Sequence, residues 1–119
     1  MITKQIFRAI LNELAQNLSH LTKTKGEEYT ANDDQLANFR QSAAEAGVSM
    51  EQVWLVFFNK HFSAIRYYVK NNRVESTESI NSRIDDAILY LALLRAMVAE
   101  SEGAERKYLL ASAPILDEK

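Results

Sequence analysis

Glu78, Arg83, Asp85 and Asp86 occupy two turns at the head of an apolar run that continues Ala87-Ile88-Leu89-Tyr90-Leu91-Ala92-Leu93-Leu94. Charged groups are seldom carried into a packed helix unless they are paired, ligate a metal or face a pocket. With Ile80 as origin and 100° per residue, Ile84, Ala87, Ile88, Leu91, Leu94 and Val98 lie within roughly 80° of it. Glu78 and Asp85 share the far side, about 20° apart, while Arg83, Asp86 and Tyr90 form a flank stripe at i, i+3 and i+7. Leu89 and Leu93 make the far side apolar as well. The pattern predicts a helix enclosed on every side, with its carboxylates near the mouth of something buried.

Three acids can converge: Glu28, Glu78 and Asp86 (or Asp85). Carboxylates in a chain without Cys are the ligand type of a hard cation such as Mg2+, which bridges phosphate oxygens and can activate water against a phosphoanhydride. Lys25 and Lys60 are candidate phosphate partners, Asn38 or Arg40 can orient a base or sugar, and Tyr29, Trp54 and Tyr90 offer faces for stacking. The competing reading is structural. Acids at a helix N-terminus complement its macrodipole, and Arg83 with Asp86 is an ordinary i, i+3 pair. His61 reads as a hydrogen-bonded core or interface residue, and His20 has no assigned role. The cluster Trp54, Phe57, Phe58, Phe62, Tyr67 and Tyr68 reads as core plus subunit contact. A Gly-rich phosphate loop, a serine elbow and a zinc motif are all missing.

Composition limits the partners. The chain has 119 residues, 14 basic and 16 acidic, so no electrostatic footprint argues for DNA or RNA. The lack of Cys excludes disulfides and thiolate chemistry. No apolar run approaches the length of a membrane span and the N-terminus lacks a signal-type core, so a cytoplasmic chain with no membrane partner is expected. At this length one domain can build a real core yet still gain from homo-oligomerising.

The elements that must position the acids read as four helices and a tail. A first helix is expected from Thr3 to about Lys23, on Ile6, Ile10, Leu14, Leu18 and Leu21, with Gly26 as breaker and residues 26–32 as a connection. Asp33 or Asn32 caps a short second helix closed by Gly47. Ser49 and Gln52 form a capping box that opens a third helix to about Lys70. Thr77 or Ser76 caps the fourth, which fades at Ser101-Glu102-Gly103. Residues 1–103 form the domain, and 104–119 a tail with at most a turn at Tyr108-Leu109-Leu110.

The order Lys25, Glu28-Tyr29, Asp34, Leu36, Asn38-Phe39, Lys60-His61, Glu78-Ser79-Ile80, Arg83-Ile84, Asp86-Ala87, Tyr90-Leu91 and Leu93-Leu94 resembles a bacteriophage family, the nucleotide modification associated domain. That family is similar in turn to the all-α nucleoside triphosphate pyrophosphohydrolases of the MazG type. The resemblance covers roughly residues 22–98 and implies an all-α, four-helix MazG-like bundle, oligomeric through its apolar helices, in the cytoplasm of an infected host. It further implies that acids hold Mg2+ against a nucleotide's phosphates. Glu78 and Asp86 match the acidic positions of the last core helix, Glu28-Tyr29 the acid–tyrosine pair, and Lys60 the central lysine. The chain departs from the template where Arg83 and Ser82 stand in place of an acid three residues upstream, where Asn81 replaces another acid, and where the earlier acidic helix motif is missing.

Three readings follow. In the first, Glu28, Glu78 and Asp86 hold Mg2+, Glu28 and Lys60 serve catalysis, and a nucleoside triphosphate is hydrolysed. In the second the chain only binds or sequesters a nucleotide or modified nucleotide, through Lys25, Tyr29, Asn38, Lys60, Arg83 and Tyr90, an arginine being well suited to direct phosphate pairing. In the third it is a structural interaction module, for which an exposed apolar face at Leu89 and Leu93 is expected.

Overall fold

Ser49 takes an extended backbone, and its hydroxyl accepts from the Gln52 amide while the Gln52 side chain accepts from the Ser49 amide. This reciprocal cap satisfies two of the donors that a helix start leaves orphaned. The structure, a computed structural model, describes residues 1–29, 33–73 and 78–111, with the backbone alone described for 23–29. It is all-α: α1 (Lys4–Tyr29), α2 (Ala37–Ala46), α3 (Met50–Asn71), α4 (Ile80–Ser101) and α5 (Glu105–Leu110), with no strand among the described residues. No helix among those residues is long and apolar enough to cross a membrane.

Four boundaries differ from expectation. Helix α1 runs through Gly26 to Tyr29, because one interior glycine costs a helix only about 1 kcal/mol and Lys25, Glu27 and Glu28 are good helix formers. The cap position of α2 is Leu36 rather than Asp33 or Asn32, and the Asp34 side chain accepts from the Leu36 amide in the turn before it. The cap of α4 is Ser79, accepting from the Ser82 amide, rather than Ser76 or Thr77. A fifth helix, α5, replaces the expected turn. As expected, Gly47 ends α2 in the left-handed region, φ 71°, where its amide returns to the Ala43 carbonyl.

Helices α3 and α4 pack side by side, α2 lies across α3, and α1 rests on α4. The core is Leu36, Trp54 and Met97, flanked by Phe39, Met50, Phe58, Tyr90, Leu93 and Leu94. Trp54 is stacked on Phe58 at 4.8 Å, and its indole N–H donates to the Tyr90 carbonyl over 2.6 Å. This bond sets the rotation of α4: the Ala87, Tyr90 and Met97 side turns inward, and Leu91 and Val98 remain 47% and 45% exposed. The helix is therefore not enclosed on every side.

Arg40 joins three segments. Its guanidinium donates to Asp34 at 2.8 and 3.0 Å and to both oxygens of Glu100 at 2.9 Å. Arg40 thus fastens α2 to α4 instead of orienting a base or sugar. The Arg40 hydrogen bond, and then the Leu36 amide, hold the Asp34 carboxyl below the usual carboxylate range. A depressed folded-state value stabilises the fold above the unfolded-state value and is lost as pH falls through the folded one. The melting-temperature gap between wild type and Asp34→Asn should accordingly close on acidification below pH about 4, and shrink in high salt because the pair is solvent-exposed.

Candidate functional site

Asp86 borders a half-open cavity of about 490 Å3 lined by α1, the α2 region, α3 and α4. Its apolar walls include Leu21, Val53, Leu89 and Leu93, and its aromatic edges are Phe39, Phe57 and Tyr90. Leu89 and Leu93 are thus half-buried cavity residues rather than an exposed apolar face. The polar groups are the side chains of Thr22, Gln35, Asn38, Ser42 and His61 together with Asp86, the one carboxylate among the described lining residues. This is the anatomy of a small-molecule site: mostly apolar, with a few polar groups able to fix orientation.

The aromatic groups hold one another. Phe39 meets Tyr90 edge-on at 6.1 Å and Phe57 edge-on at 6.4 Å, and the His61 ring lies 4.7 Å from the Tyr90 ring. His61 is half-buried among these rings. Burial first, and the neighbouring Asp86 carboxylate second, push the Tyr90 phenol above its ordinary value. It therefore stays protonated at neutral pH and can donate a hydrogen bond.

Of the residues singled out by sequence, Asn38, Asp86 and Tyr90 line the cavity together. The two residues Lys60 and Arg83 do not line it, nor does Glu78. Lys60 is exposed on α3 beside His61. The Glu78 carboxylate accepts from the Ser82 hydroxyl at 2.8 Å and pairs with Arg83 at 3.5 Å. Asp85 turns toward α1, where it accepts from the Asn17 amide at 3.0 Å. Trp54 is core, so it offers no stacking face. The Lys25, Glu28 and Tyr29 side chains lie outside the described residues.

Among the described residues no three His, Asp or Glu side chains form a group that could hold a metal. Glu78 is engaged by Ser82 and Arg83, and the side chain of Glu28, the third expected ligand, lies outside the described residues.

Sequence reasoning missed Gln35 and Ser42. With Asn38 they recur at i, i+3 and i+7, a polar stripe running from the turn before α2 onto that helix and visible in the spacing. It missed Phe39 and Phe57 because an aromatic at helical spacing reads as core. No family model matches the chain, and comparison with curated proteins and with solved structures finds no match.

Proposed function

We propose that this chain binds a nucleotide, with the base in the α1–α4 cavity and the phosphates at its Arg83 end. The observation that carries the reading is the cavity itself, where aromatic edges and amide side chains surround a volume of about 490 Å3 beside one carboxylate. Bases stack on aromatic rings and are read by Asn and Gln amides and by carboxylates on their edges. Without a bridging cation the Asp86 carboxylate repels phosphates, which places them at the mouth of the cavity. Arg83 lies one turn before Asp86 on the same flank of α4, where it pairs with Glu78 at 3.5 Å. Lys60, exposed on α3 beside His61, is a further candidate cation. The likeness to the MazG type supports the reading and adds hydrolysis to it, with Mg2+ held by Glu28, Glu78 and Asp86.

A thermal-shift screen against nucleoside mono-, di- and triphosphates and cyclic nucleotides, each with and without Mg2+, tests this directly. Binding to the folded state raises the melting temperature through RT ln(1 + [L]/Kd). A metal-independent shift is the expected result, and no shift with any nucleotide refutes the proposal. A shift that requires Mg2+ leads to the hydrolytic version, in which Asp86→Asn abolishes turnover. In either version Arg83→Ala should weaken binding about tenfold or more, since a charge-assisted phosphate contact contributes roughly 1.5–3 kcal/mol. Undiminished affinity in a titration of that variant would remove Arg83 from the site.

A further inference from the structure

We infer that the cavity selects guanine, with Asp86 accepting from the two adjacent donors of that base and Asn38 donating to its acceptor edge. This rests on the nucleotide proposal in its metal-independent form and adds the identity of the base. Asp86 is half-buried on α4, and Leu89, Tyr90 and Leu93 of the same helix line the cavity beside it. Its charge acts within that space, since it helps to raise the phenol of Tyr90 one turn further on. Neither Lys nor Arg is among the described lining residues, so this wall suits a ligand that brings donors.

An ionised carboxylate only accepts. Its two oxygens carry about four lone-pair sites, so a pair of ligand donors adds to the contacts it already has. The edge it fits has two neighbouring donors with no acceptor between them. Guanine has such an edge, N1–H beside the 2-amino group. Adenine sets its 6-amino group beside the N1 lone pair, and cytosine its 4-amino group beside N3, so one carboxylate oxygen would face a lone pair. Uracil and thymine offer a single N–H between two carbonyls. The other edge of guanine, O6 and N7, takes donors, and the Asn38 amide on α2 lines the same cavity and can supply them. Bonds to a carboxylate are about twice as strong as neutral ones, and a half-buried carboxylate turned to an acceptor loses solvation without return.

Calorimetric titration of the full chain with the 5′-triphosphates of guanosine, inosine, adenosine, cytidine, uridine and xanthosine, in metal-free buffer and then with Mg2+, is the test. All six carry the same phosphates, so their differences report the base. GTP should bind tightest without metal, and ATP, CTP and UTP more weakly by roughly 5- to 150-fold, the range for one well-made bidentate contact. ITP, which lacks only the 2-amino group, should lose about fivefold or more. Asp86→Asn should remove the preference for GTP over ATP and tighten XTP, whose 2-carbonyl accepts from the new amide. Circular dichroism should show that variant's helix content unchanged; if it does not fold, the wild-type ranking of GTP, ITP and ATP decides alone. Equal affinity for GTP and ATP, or for GTP and ITP, overturns the inference and leaves nucleotide binding standing. A folded Asp86→Asn variant that keeps the preference for GTP also overturns it. So does binding that appears only with Mg2+, because Asp86 then serves the metal. No binding of any triphosphate removes both readings.

Discussion

Trp54→Ala should lower the unfolding free energy by about 3–5 kcal/mol, the range for removing a large buried aromatic. Trp54 is 7% exposed and touches the other two members of the core, Leu36 and Met97. Only those two, Ala43 and Ala87 join it as buried apolar residues among those described, so few neighbours can relax into the space. A domain of this length is stable by roughly 6–18 kcal/mol, and the loss is a large part of that. Trp54→Phe separates the two contributions. It keeps most of the packing against Phe58 but removes the 2.6 Å indole bond to the Tyr90 carbonyl. That carbonyl remains available to the α4 backbone, so the phenylalanine variant should lose only about 1 kcal/mol more than its smaller volume accounts for. Urea unfolding followed by circular dichroism measures both variants. An alanine variant within about 1 kcal/mol of wild type would show that the α3–α4 contact is held elsewhere.

Tyr90→Ala should weaken nucleotide binding by about 5- to 150-fold, because stacking a base on an aromatic side chain contributes roughly 1–3 kcal/mol. The ring stands between Phe39 and His61, so its removal also leaves both without their neighbour. Tyr90→Phe keeps the wall and deletes the hydroxyl, and should cost no more than about tenfold. The raised phenol value has a definite sign. A folded-state value above the unfolded one contributes stability that is present below the unfolded value and is lost as pH rises through the folded one. Wild type should therefore lose stability relative to Tyr90→Phe only in alkali, above pH about 10. Calorimetric titration with the nucleotide that emerges from the screen provides the binding test. Equal affinities for wild type and the alanine variant would place the base outside the cavity.

Where one local pattern had no rival, the fold could be read from the residues. Ser49 with Gln52, and Gly47 at the end of α2, are such cases, since each meets a backbone demand that few residue types satisfy. Where several residues were equally competent, it could not. Ser76, Thr77 and Ser79 can all cap a helix, and Ser79 is the one whose hydroxyl accepts from the Ser82 amide. The facing of α4 had the same difficulty. A helix apolar on almost every side has no periodicity with which to choose, and the choice is made by Trp54 reaching the Tyr90 carbonyl from another helix. The site was legible in part for that reason. Asn38, Asp86 and Tyr90 were singled out by chemistry and line one cavity, whereas Glu78 and Arg83 pair with each other and do not line it. Spacing along a chain reports which side chains share a helix face, but not which of them a neighbour will claim.

The bond between Trp54 and the Tyr90 carbonyl also makes the chain its own optical sensor. Trp54 is the sole tryptophan, so ultraviolet emission excited at the indole comes from one known place. That indole is shielded from water, stacked on Phe58, and bonded to the backbone of a residue whose side chain lines the cavity. A ligand that displaces the Tyr90 backbone would alter the length of that bond and the electric field at the indole. Occupancy of the site can therefore be followed as a change in emission wavelength and quantum yield, without label or engineered probe, and on the timescale of binding itself.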